Sequence, residues 1–265
     1  MPPHNRDHLL AVFESFRGEM DDYNDRRERL IKASRDVTNL SKKIIFLLHR
    51  IALEDDTTSY IRAAKRGYTK LREVQDIYAG LTPELAGDRF WRYHHQLSPG
   101  LQEYIEALSF AYYLEHGSLI PFAAVQSSLS SPEGIPFFPL TITDYLLGLS
   151  DLTGELMRLA ISGLSAHQSG RMKATQVCAF VRACKAEFEN YAPYVPNLPK
   201  KQRVTAQSLE KIEDAAYTVV VRSSEYELSP EALDDIVSQA TSRFSERSHK
   251  RTRGDDWNDD GTSDS

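Results

Sequence analysis

Apolar residues recur every three or four positions along most of the chain, which is the spacing of a helix face turned toward a core. The pattern is clearest in two early stretches, formed by Leu30, Val37, Leu40, Ile44, Leu47 and Ile51 and then by Ile61, Ala64, Leu71, Val74, Tyr78 and Leu81. Alternation with a period of two, typical of half-buried strands, is sustained nowhere. The pattern therefore predicts an all-α chain.

The twelve prolines divide this pattern, because proline interrupts a helix interior. Residues 4–82, 140–192 and 200–229 contain none. Together the two signals predict helices at 7–17, 20–54, 60–81, 84–117, 141–167, 172–190, 202–223 and 229–246, the fourth with a kink near Pro99. The β-branched run Val219-Val220-Val221 would also suit a strand, but the helical spacing continues through it and favours a helix.

Domain organisation is expected to be simple. The Ser- and Pro-rich segment from Ser127 to Pro139 is the one long loop predicted inside the body, and composition does not shift there. We therefore predict one helical domain over residues 1–246 and a disordered charged tail over residues 247–265, basic first and acidic at its end. The basic half also has the composition of a nuclear-import signal, although a solvated tail is the commoner role.

Composition narrows the functional class. The 265 residues carry 32 Lys and Arg against 38 Asp and Glu, a net charge of −6, which argues against a protein whose whole surface binds nucleic acid. Cys178 and Cys184 lie six apart in one predicted helix, about 9 Å between Cα atoms, too far for a disulfide. With no apolar signal core and no membrane-spanning run, the sequence predicts a soluble, intracellular protein.

Acidic residues are the candidate chemistry, since no Gly-rich phosphate loop, zinc-binding Cys/His spacing or strand-elbow serine occurs. Glu103 and Glu106 lie three apart on one side of a predicted helix. A second stripe follows at i, i+4, i+7 and i+11, formed by Asp144, Gly148, Asp151 and Glu155. Gly148 is unfavourable inside a helix and indicates that a neighbouring helix or a substrate approaches closely there.

If the two helices face each other, four carboxylates converge without a histidine, a donor set that suits Mg²⁺ or Mn²⁺ better than zinc or copper. Such a cation lowers the pKa of bound water and offsets charge on a phosphodiester, so hydrolysis of a nucleic-acid backbone is the corresponding reaction. The alternative is a solvated helix face, which is the more frequent role of acidic pairs at this spacing.

Other polar and aromatic sets have structural interpretations that we favour. His94 and His95 are expected to be structural or surface residues rather than catalytic ones. A solvated face is preferred over an RNA track for Arg29, Lys32, Arg35, Lys42, Lys43 and Arg50. Core packing is preferred over base stacking for Phe90, Trp91, Tyr93, Phe110, Tyr112 and Tyr113. The two cysteines are expected to be small buried residues.

Four segments resemble the translin superfamily, in its branch of translin-associated factor X (TRAX). They are residues 29–38 (RLIKASRDVT), 41–50 (SKKIIFLLHR), 100–107 (GLQEYIEA) and 144–158 (DYLLGLSDLTGELMR). The resemblance covers about residues 8–245. It implies an all-α fold of about seven helices, with translin as the partner in a closed hetero-octamer.

The resemblance also implies an activity, a Mg²⁺-dependent endoribonuclease on single-stranded RNA with roles in RNA silencing and tRNA processing. Carried over by position, the catalytic set falls on Glu103, Glu106, Asp151 and Glu155. Glu106 and Glu155 would be the closest metal ligands, while Glu103 and Asp151 would complete the ligand set or orient the attacking water. Asp144 and Gly148 also match the family and are assigned to packing or to support of the ligands.

Two other functions stay open at this point. The chain would be a non-catalytic scaffold if it only completed and stabilised a translin oligomer, or a single-stranded DNA-binding subunit if it bound without cleaving. The second is less favoured, because the chain has no basic groove of its own. Cytoplasmic and nuclear localisation is expected.

Overall fold

A helix of 49 residues begins the fold, because no proline interrupts residues 4–52. A computed structural model of the chain describes residues 4–54, 56–164 and 168–225, with the single residues 232, 235, 236 and 239. In these ranges seven α-helices follow one another: α1 His4–Ala52, α2 Ser59–Gly80, α3 Arg89–His116, α4 Phe122–Ser128, α5 Ile142–Leu164, α6 Gln168–Tyr191 and α7 Leu198–Glu225. The β-structure described there is a single bridge between Ser130 and Pro136. The predicted all-α fold is confirmed.

The chain divides into two compact units, Met1–Leu149 and Ser150–Ser265, with the boundary inside α5. The first unit holds α1 to α4 and the first two turns of α5, and the second holds the rest of α5 with α6 and α7. The single domain ending at residue 246 stays a prediction, and the predicted tail lies outside the described residues. No described helix is long and apolar enough to cross a membrane.

The first unit is built by mutual packing of α1, α2 and α3. Most of the predicted apolar positions of α1 and α2 face this core, although Ile61 is 49% exposed. The following side chains are completely buried: Leu30, Val37 and Leu48 of α1, Leu71 and Val74 of α2, and Leu97 and Leu101 of α3. Because apolar area removed from water stabilises a fold in proportion to its size, these three stripes form the main core of the unit.

α1 and α3 approach closely at two small residues. The backbone N–H of Gly100 donates to the Ser34 hydroxyl at 3.2 Å, and a Cβ built on Gly100 would lie 2.8 Å from the Ser34 carbonyl oxygen. α3 continues as a helix through Pro99, although proline has no backbone N–H to donate to the preceding turn. The close approach at this crossing explains why a glycine occurs in the middle of a buried helix.

Several helix boundaries differ from the prediction. The helices predicted at 7–17 and 20–54 are one helix, because Gly18 is exposed and a glycine there costs only about 1 kcal/mol. α3 begins at Arg89 rather than at residue 84, after a 3₁₀ turn over Thr82–Leu85. α7 begins at Leu198 rather than at residue 202 and continues as a helix through the run Val219-Val220-Val221. Most of the helix predicted at 229–246 lies outside the described residues.

The sequence prediction omitted α4, a helix of seven residues before the predicted loop. Its last residue, Ser128, shares a hydrogen bond of 2.8 Å with the hydroxyl of Tyr104, which also accepts one from Gln75. Burial raises the pKa of Tyr104 to about 12, although these hydrogen bonds act in the opposite direction. The loop that follows contributes Leu129 and Phe138 to the core, both fully buried.

In the second unit, α6 packs on α7, and α5 is joined to α7 by polar contacts. The hydroxyls of Thr153 and Thr205 lie 3.1 Å apart, and the Gln202 amide donates to the Ser150 hydroxyl at 2.9 Å. All four side chains are buried. The polar groups are therefore paired with one another, as buried polar groups in native folds usually are.

Cys178 and Cys184 are free and buried, as the sequence predicts. Burial raises the pKa of the Cys178 thiol and raises that of Cys184 to about 11. Because the thiolate is the reactive form, both residues are expected to be chemically inert in the folded chain.

Alkylation of the thiols tests this burial. At about pH 8 a thiol of pKa near 11 holds roughly a hundredth of the thiolate of an ordinary cysteine, so iodoacetamide should modify Cys184 at least about 100-fold more slowly than free cysteine, and Cys178 should also react more slowly. Mass spectrometry of the folded chain and of the chain in guanidinium chloride would measure the two rates. Equal rates in both conditions would contradict the buried placement.

Candidate functional site

The four predicted catalytic carboxylates lie on α3 and α5, and the two units share them equally. Glu103 and Glu106 belong to the first unit, and Asp151 and Glu155 belong to the second. Glu106 and Glu155 are only 9% and 8% exposed, and the other two are half-buried. Convergence of all four carboxylates stays a prediction.

Glu103 is paired with a basic residue of α1. The Lys42 ammonium lies 3.2 Å from the Glu103 carboxylate, and the lysine is mostly exposed while the glutamate is mostly covered. Lys42 is one of the six basic residues noted on this helix, and all six are exposed, as a solvated face requires. Lys42 therefore supplies local countercharge to a predicted catalytic residue.

Asp151 forms an ion pair and hydrogen bond with Lys201 at the start of α7. Burial raises the pKa of Asp151, and the nearby lysine partly offsets this effect. Lys201 lies 50 residues further along the chain, so no local pattern in the sequence could have identified it as the partner.

Glu155 is held by a residue of its own helix. The Arg158 guanidinium donates to the Glu155 carboxylate at 2.9 Å, the i,i+3 arrangement that favours oppositely charged pairs on a helix. Here the sequence does carry the signal, because the spacing alone brings the two side chains together. Glu103, Asp151 and Glu155 thus each form an ion pair with a basic residue, which is Lys42, Lys201 and Arg158 respectively.

Asp144 belongs to the same stripe of α5 but has a different environment. It is completely buried and accepts hydrogen bonds from three side chains of neighbouring elements, those of Ser98 at 2.5 Å, Gln102 at 3.0 Å and Thr141 at 2.7 Å. The Nε2 atom of His94 lies 2.6 Å from its second oxygen. His94 is thus part of a structural network, as we preferred from the sequence, and His95 is exposed.

These hydrogen bonds determine the ionisation of Asp144. Burial alone would raise its pKa, but the hydrogen bonds from His94, Ser98 and the other two donors outweigh this, and the pKa lies below its ordinary value. The backbone N–H of Asp144 also donates to the Thr141 hydroxyl at 3.1 Å, so Thr141 caps the first turn of α5.

Gly148 is the point where α5 touches α3. A Cβ built on it would lie 2.7 Å from the Cβ of Ile105 and 3.0 Å from the carbonyl oxygen of Gln102. The close approach predicted from the sequence is therefore made by a neighbouring helix. The assignment of Asp144 and Gly148 to packing agrees with both environments.

The aromatic residues of α3 are mainly core, as predicted, with one exception. Phe90, Tyr93, Phe110 and Tyr113 are buried, whereas Trp91 is 69% exposed and the prediction for it was wrong. Trp91 occupies the outer side of the helix next to Phe90, against whose ring it packs edge to face at 5.0 Å.

The donor chemistry of the quartet fits a hard cation, because Mg²⁺ is held in proteins by one or two carboxylates together with water and substrate phosphates. Within residues 4–54, 56–164 and 168–225, no three His, Cys, Asp or Glu side chains are grouped so that they could hold one metal ion. Two-carboxylate ligation by Glu106 and Glu155 accordingly stays a prediction.

Comparison with known proteins assigns the family. The sequence profile described as the Translin family matches residues 25–223. The chain belongs to the translin family. Translin-associated protein X of Rattus norvegicus is 34% identical over 256 residues, with 88% of this chain and 85% of that protein covered. Its homolog from Schizosaccharomyces pombe is 29% identical over 225 residues, with 80% and 89% covered.

Within the translin family, this chain is more similar to the TRAX branch than to translin itself. Translin of Gallus gallus is 24% identical over 218 residues, with 81% of this chain and 93% of that protein covered. The crystal structure of apo-NeC3PO matches with a TM-score of 0.59 at 18% identity, covering 78% of this chain and 96% of that chain. This structural likeness supports the helical fold.

Gly148 and Gly154 provide a matched pair of substitutions on α5. Gly148→Ala should lower the free energy of unfolding by about 1–3 kcal/mol, because its methyl group would overlap Ile105. Gly154→Ala should raise it by up to about 1 kcal/mol, since no described atom lies within 4 Å of the new methyl group and alanine favours the helix. Urea denaturation would measure both, and a stabilising Gly148→Ala would contradict the close contact.

Asp144→Asn removes the charge that the network stabilises and should lower the free energy of unfolding by about 2 kcal/mol at neutral pH. A carboxyl whose pKa is lower in the folded state stabilises the fold above its ordinary value of 3.8, and this contribution is lost as pH falls through the folded pKa. The wild type should therefore lose stability below about pH 4, and the variant should lack that part of the loss.

The control for this experiment is Asp36→Asn, which changes an exposed carboxylate of α1. Urea denaturation between neutral and acidic pH should give this control the acid dependence of the wild type. The same acid dependence in Asp144→Asn would be evidence against the network.

Proposed function

We propose that this chain is the catalytic subunit of a hetero-oligomeric, Mg²⁺-dependent endoribonuclease that it forms with translin and that cleaves single-stranded RNA. The similarity to proteins named translin-associated protein X, over most of both chains, supports translin as the partner. Single-stranded DNA is an alternative ligand of the same assembly.

The observation that carries the catalytic part is the environment of the acidic quartet. The helices α3 and α5 carry these four carboxylates within residues 103–106 and 151–155, and two of the four are almost completely covered. A buried carboxylate is costly unless it is paired or coordinates a cation. Four carboxylates in two short segments suit a hydrolytic site that binds a cation, whereas packing of the helices does not require them.

Each member of the quartet has a distinct part in this proposal. Glu106 and Glu155, the most buried pair, would hold the cation, and Glu103 and Asp151 would orient the attacking water and accept its proton. When bound, Mg²⁺ supplies a water molecule of lowered pKa and offsets negative charge on the phosphodiester. Addition of water at phosphorus breaks the P–O3′ bond and leaves a 5′-phosphate and a 3′-hydroxyl.

The basic partners have a supporting role in the same scheme. Lys42 and Lys201 form ion pairs with Glu103 and Asp151, and their charges lower the repulsion among acidic groups. Because the chain as a whole has a net charge of −6, most of the affinity for RNA would come from basic surfaces of the partner. RNA binding by the isolated chain is accordingly expected to be weak.

A non-catalytic scaffold is the second candidate function. The ion pairs at Glu103, Asp151 and Glu155 favour it, because carboxylates already balanced by Lys and Arg need no metal. In that case the chain would complete and stabilise a translin oligomer without cleaving RNA.

Cleavage by the co-purified complex distinguishes the two functions. A labelled single-stranded RNA would be incubated with chain and translin in Mg²⁺ and in EDTA, using wild type, Glu106→Gln and, as a control, Glu73→Gln, an exposed residue of α2. We expect EDTA to abolish cleavage and Glu106→Gln to lower its rate at least about 100-fold, with the control unchanged, because the variant loses a charged ligand.

Assembly must be measured beside activity, by light scattering on the same samples. An intact oligomer with lost cleavage would identify Glu106 as part of the active site. Unchanged cleavage in Glu106→Gln, or no cleavage by any sample, would favour the scaffold.

A further inference from the structure

The amino-terminal part of α1 projects from the first unit without cover. In residues 6–22, here called the arm, every residue is exposed. At 1.5 Å per residue the arm is about 25 Å long. It nevertheless carries six large apolar side chains that are each 38–62% exposed, namely Leu9, Leu10, Val12, Phe13, Phe16 and Met20.

Four of these side chains form a single stripe along the arm. Leu9, Phe13, Phe16 and Met20 follow one another at intervals of four, three and four, which places them on one face of the helix, as in a coiled-coil seam. These four residues are called the arm stripe below. Solvated helices carry polar residues around most of their circumference, so a stripe of this kind indicates a helix face that is meant to be covered.

The arm stripe continues the core-facing seam of α1 in the same register. The intervals of three and four pass through Tyr23, where the helix meets the body and stacks on Tyr93 with ring centroids 5.3 Å apart. The same series then reaches buried residues of the core, which are Leu30, Val37, Ile44, Leu48 and Ile51. Along the body, helices of the same chain cover this seam, and along the arm no described residue does.

We propose that the arm stripe is a docking surface for an amphipathic helix with basic flanks, supplied by the partner subunit of the hetero-oligomer. This inference rests on the proposed function, because it takes translin as that subunit. The six exposed side chains present roughly 500 Å² of apolar surface, the size of patch that marks an interaction site on a soluble protein.

Charge selects the type of partner. The arm carries five acidic residues, Asp7, Glu14, Glu19, Asp21 and Asp22, against Arg6 and Arg17. A second copy of this arm would bring the same acidic excess and be repelled, whereas a basic helix would be attracted. Helices that lie on membranes are rich in Lys and Arg on their polar face, whereas the arm has two arginines against five acidic residues, so a lipid surface is also disfavoured.

The area of the patch indicates how the docked helix contributes to assembly. A stable complex of standard size covers about 800 Å² on each partner, more than the six exposed apolar side chains of the arm offer. The arm is therefore an extension of a larger interface and is too small to hold a complex by itself. Large side chains such as Phe13 and Met20 would keep the docked helix at an ordinary interaxial distance of about 8–10 Å.

Two variants with equal added charge test the docking surface. Phe13→Asp with Phe16→Asp changes the arm stripe, and Ala11→Asp with Ser15→Asp places the same two charges on exposed positions of the arm outside it. Affinity for purified translin would be measured by titration at several salt concentrations, with light scattering for stoichiometry and circular dichroism for helix content.

We expect the arm-stripe variant to bind translin at least about tenfold more weakly than the wild type, because it loses two central aromatic anchors. The control variant should stay within about twofold of the wild type at high salt, where added charge is screened. Binding of the wild type should weaken as salt increases, as the acidic arm and basic partner require. Equal affinity of the arm-stripe variant and the wild type would overturn the proposal.

Three further outcomes would also overturn it, each in a recognisable way. Self-association of the chain that is lost in the arm-stripe variant would make a second copy the occupant. Binding to phosphatidylcholine and phosphatidylserine vesicles that is lost in that variant would make it a membrane contact. If wild type and translin form no complex at all, the proposed function fails together with the docking surface. If they form a complex that the arm-stripe variant does not weaken, only the docking surface fails.

Discussion

The contact between α3 and the first turns of α5 is the constraint on which the acidic region of the first unit depends. Asp144 binds His94, Ser98 and Gln102, which lie four residues apart along one side of α3, so the register of the two helices is fixed by hydrogen bonds. One turn later, Gly148 allows α5 to lie directly against Ile105. A slip of either helix would break several buried hydrogen bonds and bring a larger side chain to the place where Gly148 meets Ile105. Glu103 directly follows Gln102, so its position is tied to this contact.

Sequence spacing was sufficient to find the helices and the acidic stripe, but it could not distinguish members of the stripe. Asp144 and Asp151 are equally acidic and stand on the same face, yet one is fixed by four side chains and the other is balanced by Lys201. The difference arises from residues about 40–50 positions away, which local periodicity does not contain. The continuous α1 was missed for a related reason, because Gly18 is exposed and its small propensity cost is not enough to end a helix.

The basic partners of the carboxylates bear on both the catalytic and the scaffold function. A lysine or arginine that neutralises a carboxylate lowers the cost of burying it, but it also competes with a metal ion for the same oxygen atoms. Lys42 and Arg158 are mostly exposed and lose little when they turn away, whereas Lys201 is largely covered. Metal binding would therefore displace the partners of Glu103 and Glu155 more easily than that of Asp151. This order would suit Glu155 as a ligand and Asp151 as a residue that orients water, but it does not distinguish the two roles for Glu103.

The arm of α1 raises the question of how an uncovered helix remains helical. An isolated segment of this length is marginal in water, because the first helical turn is costly to nucleate. Here the nucleus already exists, since Leu30, Val37 and the rest of the seam hold α1 against the core and the arm only propagates it. The arm stripe is thus presented in a helical form before any partner binds. Docking then orders mainly side chains. The free energy of binding is therefore reduced less by ordering than it would be for a segment that folds on binding.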